Sequence, residues 1–269
     1  MKVPAPGRAD PALGTRQDVG VSEDHFGEEV AAVYDADHED MFAPEVVGPA
    51  VELLAGLAGG GEALELAIGT GRLAIPLAAR GIPVSGIDLS AAMVERLVAK
   101  PGGERIAVTL GDMTTTRAPG RFALVYLVFN TIGNLTGQDE QVACFANAAA
   151  HLEPGGRFVV EVGVPDLRRL PPGEDARVFA HAPGYVGYDR YVDLVGQLAV
   201  SHHFVAGSAG LRESATPFRY VWPSELDLMA RLAGLDLEDR WSDWQRSPFG
   251  AESRSHVSVW VKPGSPAQK

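Results

Sequence analysis

Ala63-Leu-Glu-Leu-Ala-Ile-Gly-Thr-Gly-Arg72 and Val84-Ser-Gly-Ile-Asp-Leu-Ser90 decide how this chain folds. An apolar strand runs into a turn of small residues, then a helix, then a second strand that ends in a carboxylate. Gly69 and Gly71 let a ligand approach the backbone where a side chain would block it. The amides at the helix start point toward that ligand. Asp88 follows Gly71 by 17 residues and sits at the tip of the second strand. A carboxylate there can grip two ribose hydroxyls. The stretch reads as a nucleoside-binding βαβ unit.

The bulk properties narrow the setting. The chain has 269 residues, 46% of them hydrophobic, enough for one sizeable α/β domain with an insertion. A formal net charge of −12 argues against a nucleic-acid or anionic-membrane partner, each of which needs a basic face. The single cysteine, Cys144, excludes a disulfide framework and a thiolate metal cluster, and no metal site is expected. No apolar stretch is long enough to span a bilayer. The Pro/Gly-rich start has no hydrophobic segment of the secretory kind, so the expected compartment is the cytoplasm.

Outward from the opening stretch, residues 1–22 read as a disordered tail. A helix is expected over Val21–Met41 and another over Glu45–Leu57. Glu62–Leu66 is strand one, and Arg72–Ala79 a helix that Pro76 should bend. Strand two is Val84–Ile87, followed by a helix that Ser90 caps. Ile106–Leu110 is strand three, and the unbroken apolar run Phe122–Phe129 is a strand covered on both faces. The helix Asp139–Leu152 leads into strand five, Arg157–Val164. From Asp166 to Tyr220 β-rich runs replace helices, as in antiparallel hairpins. A helix resumes at Ser224, and two strands follow, near Leu237–Trp244 and Ser255–Val261. The expectation is a doubly wound, mostly parallel seven-stranded sheet formed by 23–165 and 221–262. Residues 166–220 form an antiparallel β insertion that covers the substrate or builds a homodimer, and 263–269 form a second tail.

Five motifs resemble those of class I S-adenosylmethionine-dependent methyltransferases, in order and at matching spacing. Glu65-Leu-Ala-Ile-Gly-Thr-Gly71 resembles the first, with Ala67 in place of its first glycine. Ile87-Asp-Leu-Ser90 resembles the second, and Gly111-Asp-Met113 the loop beside the adenine. Phe129-Asn-Thr-Ile-Gly-Asn134 resembles the motif ending strand four, and Leu152-Glu-Pro-Gly-Gly-Arg-Phe158 the turn into strand five. The β insertion and Val33-Tyr-Asp35 are similar to the small-molecule members, among them aminosugar N-methyltransferases.

The resemblance implies S-adenosylmethionine as cofactor and a small-molecule acceptor, methylated at oxygen or nitrogen. Glu65 would serve the ammonium end, and Tyr34 and Arg72 the methionine carboxylate. The turn Ala67, Gly69, Thr70 and Gly71 would carry the methionine portion. Asp88 would take the ribose, Leu89 and Met93 one face of the adenine, Asp112 its amino group and Met113 its edge. Phe129 and Asn130 would floor the site near the methyl. Such a displacement needs alignment and dryness more than a nucleophilic side chain.

Plainer readings stand beside these. Met93 fits core packing equally well, Asp112 could be a turn former, and Arg72 could be a surface residue. Tyr34 could be an ordinary residue at a core edge. Among seven histidines, His203 and its neighbour His202 face opposite sides of an inserted strand. His203 is taken with Asn130 as the candidate for the reaction side. His25 and His38 lie in the N-terminal helix among acids, where the surface is the default unless this segment covers the site.

Two rivals remain. Gly69-Thr-Gly-Arg-Leu-Ala74 also fits the turn of an NAD(P)-dependent oxidoreductase, but the Glu65 carboxylate would repel a pyrophosphate. A non-catalytic S-adenosylmethionine-binding scaffold would have no need of acids at 65, 88 and 112.

Overall fold

Short apolar runs build the sheet that carries the loops. In the computed structural model, which describes residues 26–207 and 210–264, β1 (Ala63–Leu66) is buried along its whole length. It pairs in parallel with β2 (Val84–Asp88) on one side and β4 (Phe122–Leu127) on the other. β3 (Ala107–Leu110) extends β2, and β5 (Leu152–Gly163) extends β4. β11 (Ser255–Val261) and β10 (Asp236–Trp241) close the far edge in antiparallel pairing. The order is β10-β11-β5-β4-β1-β2-β3. The chain winds outward from β1 to β3 and then returns to β4, so the order reverses between β1 and β4. Ligands of open α/β sheets bind beyond the strand ends at such a point.

Two cores flank the sheet, set by the alternation of side chains along each strand. Leu64, Leu66, Val125, Phe158 and Trp260 face α5 (Gln138–His151) and α6 (Pro223–Leu232). Ala63, Leu124, Tyr126 and Val159 face α2 (Pro44–Ala58) and α3 (Ala74–Ala79). Each large side chain fully removed from water contributes about 1.5–3 kcal/mol.

The chain divides into two compact units, 166–220 being contiguous in one of them. Within it β6 (Ala176–Ala182), β7 (Tyr185–Asp193), β8 (Leu198–Gly207) and β9 (Gly210–Arg219) form one antiparallel sheet in chain order. β6 is one strand more than the sequence reading named; its alternation is broken by a register shift between Val178 and Ala180.

Several boundaries differ from expectation. The N-terminal helix α1 covers only Glu28–Asp37, ends at His38, and is followed by a 3-10 turn over Glu39–Phe42. Expectations for residues 1–25 and 265–269 lie outside the described residues. α3 starts two residues late, which puts Pro76 in its first turn. An N–H there has no partner within the helix, so a proline costs nothing and bends nothing. α4 (Ala91–Val98) is capped by the Ser90 hydroxyl as expected, accepting from the Met93 amide at 3.4 Å. The strand expected to reach Trp244 stops at Trp241. No helix of the described residues is long and apolar enough to cross a membrane.

Candidate active site

The tips of β1 and β2 are tied together by Asp88. Its Oδ2 accepts from the Gly69 amide at 2.6 Å and its Oδ1 from the Ser90 amide at 2.8 Å. One carboxylate thus fixes the two loops that flank any nucleoside held there. Between them the backbone turns left-handed at Ala67, Gly69 and Gly71 (φ 52°, 56° and 83°). The two glycines do different work. A Cβ on Gly69 would meet nothing within 4 Å, so that side is open to a ligand. A Cβ on Gly71 would press on Ile75 and Leu97 at 3.1 Å. At Gly71 the missing side chain also makes room for the packing of Ile75 and Leu97.

Glu65 sits on the α2 side of β1, buried and level with Tyr126 of β4. The Tyr126 hydroxyl donates to Glu65 Oε2 at 3.0 Å. Burial pushes the Glu65 carboxyl up to about 8, against the pull of the Tyr126 hydrogen bond and of the Arg72 charge. Burial and the neighbouring Glu65 raise the Tyr126 hydroxyl in turn. A carboxyl held this way is uncharged near neutral pH until a cation arrives.

The N-terminal segment docks on this turn. Asp35 accepts from the Thr70 hydroxyl at 2.6 Å and pairs with the Lys100 ammonium at 2.5 Å. Lys100 also donates to the Thr70 carbonyl at 2.8 Å. The Ser90 hydroxyl donates to the Phe26 carbonyl at 2.8 Å. Tyr34 is brought among Arg72, Asp35, Asp88 and Glu65, and burial raises its hydroxyl most. Arg72 donates to the Met41 carbonyl at 3.4 Å and lies 4.9 Å above the Phe129 ring. Neither residue is a plain surface group.

Beyond β4 the backbone is left-handed at two bulky residues in succession, Phe129 and Asn130 (φ 60° and 61°). Such a conformation costs roughly 1–2 kcal/mol per residue, and strain of this kind gathers at functional sites. Glu161 holds it, accepting from the Phe129 amide at 2.9 Å and from the Trp244 indole at 2.6 Å. Asn130 Oδ1 accepts from the Gly163 amide at 2.6 Å. What Asn130 can present to an acceptor is its amide N–H, a donor.

Asp112 forms a turn, its Oδ1 accepting from the Thr114 amide and hydroxyl, each at 2.7 Å. Met113 packs against the core below it, and its carbonyl accepts from Asn147 at 2.7 Å. Met93 is buried at 3% exposure, whereas Leu89 is 38% exposed and offers an apolar surface at the β2 tip.

In the insertion, His202 is buried and stacks on Tyr188 at 4.7 Å. His203 is half-buried, its Nδ1 2.8 Å from the Tyr185 hydroxyl and its Nε2 3.3 Å from the Ser201 hydroxyl.

Sequence reasoning passed over three groups. Tyr126 lies inside the apolar run Phe122–Phe129 and Glu161 inside strand five, and nothing local in the sequence singles either out. His38 was assigned to a helix surface, yet it stands where α1 ends. Its Nδ1 lies 2.8 Å from the Tyr34 carbonyl, and its ring 4.5 Å from Tyr34 and 5.9 Å from Phe129.

The donor set fits a ligand with a cationic end, a ribose and an aromatic base. A buried carboxyl awaits the cation, a loop-fixing carboxylate stands beside an open glycine face, and an exposed leucine flanks them.

Comparison with known proteins follows the same line. Residues 63–156 match a family model described as a methyltransferase domain. The solved CcbJ methyltransferase from Streptomyces caelestis is 36% identical, with a TM-score of 0.78 over 89% of this chain and 98% of that one. The cypemycin N-terminal methyltransferase from a Streptomyces species is 29% identical over 73% of this chain and 81% of its own length. CalS10 from Micromonospora echinaspora, an amino pentose methyltransferase solved with S-adenosylmethionine bound, shares the fold. It is 21% identical, with a TM-score of 0.64 over 86% of this chain and 96% of that one.

Proposed function

The chain belongs to the S-adenosylmethionine-dependent methyltransferases, and from that premise we propose that it methylates a nitrogen or oxygen of a small natural-product molecule, an amine nitrogen first among these. The dinucleotide reading of the turn is thereby set aside. The acceptor class rests on two supports. The cypemycin relative acts, by its name, on an N-terminus. The net charge of −12 favours approach of a cationic acceptor.

The observation that carries the cofactor assignment is the gathering of Glu65, Asp88, Tyr34 and Arg72 about one left-handed turn. In this reading Glu65 meets the ammonium end, and Tyr34 and Arg72 the carboxylate. The turn from Ala67 through Gly69, Thr70 and Gly71 backs the methionine chain. Asp88 takes the ribose hydroxyls, and Leu89, Met93, Asp112 and Met113 surround the adenine. The cofactor, when bound, supplies an activated methyl with a neutral thioether as leaving group. Phe129 and the docked N-terminal segment keep water from that methyl. Asn130 orients the acceptor by donating to it. The insertion serves as the face of a homodimer, and the enzyme works in the cytoplasm.

Calorimetry with S-adenosylhomocysteine and with NAD tests the cofactor part; micromolar binding of the first and none of the second is expected. Transfer of tritiated methyl to a panel of aminosugars, free-N-terminus peptides and phenols tests the acceptor part. Transfer to phenols alone would overturn the amine reading.

A further inference from the structure

We infer that His38 is the general base of the transfer, accepting through Nε2 the proton that the acceptor nitrogen gives up. The inference rests on the amine reading above, and it starts from a tautomer. A neutral imidazole carries one N–H, and its position is set by the bond the other nitrogen makes. The carbonyl of Tyr34 can only accept, and it lies 2.8 Å from His38 Nδ1. The proton therefore sits on Nδ1, which leaves the Nε2 lone pair as a base.

α1 ends at His38, so this side chain leaves the helix surface where the sequence pattern placed it. Its ring lies 4.5 Å from that of Tyr34, tilted by 33°, and Tyr34's surroundings include Glu65, Asp88 and Arg72; it meets the Phe129 ring edge-on at 5.9 Å. Phe129 stands directly beyond β4, on one side of the point where the strand order reverses. Acceptor chemistry belongs at that point. Phe129 is held there in a left-handed conformation by Glu161. His38 is half-buried, open enough to reach a substrate and enclosed enough to be aimed.

No other described histidine of this unit is open to an acceptor. Asn130 cannot act as a base. His151 donates or accepts at both ring nitrogens inside the core, from Ala118 and to Asn147. His256 is fully buried.

The step balances. An acceptor ammonium passes one proton to His38 Nε2 and becomes a neutral amine. Its nitrogen lone pair forms the new N–C bond while the electrons of the C–S bond leave with sulfur. The product is a methylammonium and a neutral thioether, and the imidazolium returns its proton to water.

The test uses the whole chain, the aminosugar and peptide panel, and three variants. His38→Asn keeps a donor for the Tyr34 carbonyl but has no basic nitrogen, His38→Ala has neither, and His203→Gln probes the other histidine. Expected for His38→Asn is a fall in kcat of a hundredfold or more, with acceptor KM and S-adenosylhomocysteine affinity within threefold of the parent. Expected for His38→Ala is partial recovery in 50 mM imidazole. A His38→Asn enzyme with parental kcat overturns the inference, as does a loss confined to His203→Gln. Histidine ¹⁵N spectra of the S-adenosylhomocysteine complex give an arm independent of turnover. Protonation at Nε2 rather than Nδ1 overturns the inference even if no amine is methylated. Absence of any amine methylation by the parent sinks the acceptor reading instead, and the spectra still decide the tautomer.

Discussion

Replacing Glu65 by Gln separates what this residue does for the cofactor from what it does to the protein. The buried carboxyl titrates at about 8 instead of 4.5, so at pH 7 about 0.9 of it is protonated in the ligand-free enzyme. A cofactor ammonium requires the charged form, so binding at pH 7 releases about 0.9 proton from this site. Between pH 6 and pH 7 the affinity rises about tenfold per unit for the same reason. The linkage to stability has the opposite sense. The folded-state value is raised, so the stabilising contribution is full below pH 4.5 and is lost as pH climbs toward 8. At pH 7 the loss amounts to about 3 kcal/mol, at 1.36 kcal/mol per unit. Gln is uncharged at every pH and still accepts from Tyr126. The variant should therefore melt higher than its parent at pH 7, by roughly 6–12 °C at 2–4 °C per kcal/mol, and equal it near pH 4.5. Calorimetric titration with S-adenosylmethionine in phosphate and in Tris reads the proton count. Thermal melts at both pH values read the stability. Parental proton release that persists in the variant, or a melting difference that does not depend on pH, would refute the reasoning.

Three further outcomes follow from the geometry. Asp88→Ala removes the acceptor for the Gly69 and Ser90 amides as well as the proposed ribose contact, at ~1 kcal/mol or more per lost hydrogen bond; calorimetry should show cofactor binding at least tenfold weaker. Ala67 is left-handed without being glycine, so Ala67→Val should destabilise by ~2 kcal/mol or more while Ala67→Gly stays within ~1 kcal/mol of the parent, both read by urea unfolding. His256 is buried neutral, its imidazole pushed down to about 4 by desolvation first and the Arg240 charge second. The unfolded chain takes up a proton near 6.5 that the folded one refuses, so stability present above pH 6.5 falls by about 3 kcal/mol as pH drops to 4; His256→Gln should flatten that decline in acid melts.

The sheet was legible because its signals are local. Unbroken apolar runs, alternate glycines and a strand-end aspartate name βα units without reference to the rest of the chain. The insertion was legible as β structure, but β6 was not: only Val178 and Phe179 stand out in it, and both are exposed. The site was half legible. Glu65, Asp88 and Thr70 announce themselves by position in a motif. Tyr126 becomes a partner of Glu65 only through strand register, and Glu161 a clamp only through the left-handed turn it holds. His38 was misplaced because its helix ends at Asp37, four residues short of the expected Met41. A histidine just past a helix end answers to different neighbours than one on its face.

The insertion enters after Pro165 and rejoins at Val221, and the ladders of β6 to β9 are complete among themselves. None of its strands completes the seven-stranded sheet. A segment with that property is a natural unit of exchange. Splicing the corresponding stretch of a relative between these two junctions should leave the seven-stranded sheet folded and cofactor affinity intact. An exchange at these two seams leaves untouched the residues proposed to hold the methyl donor.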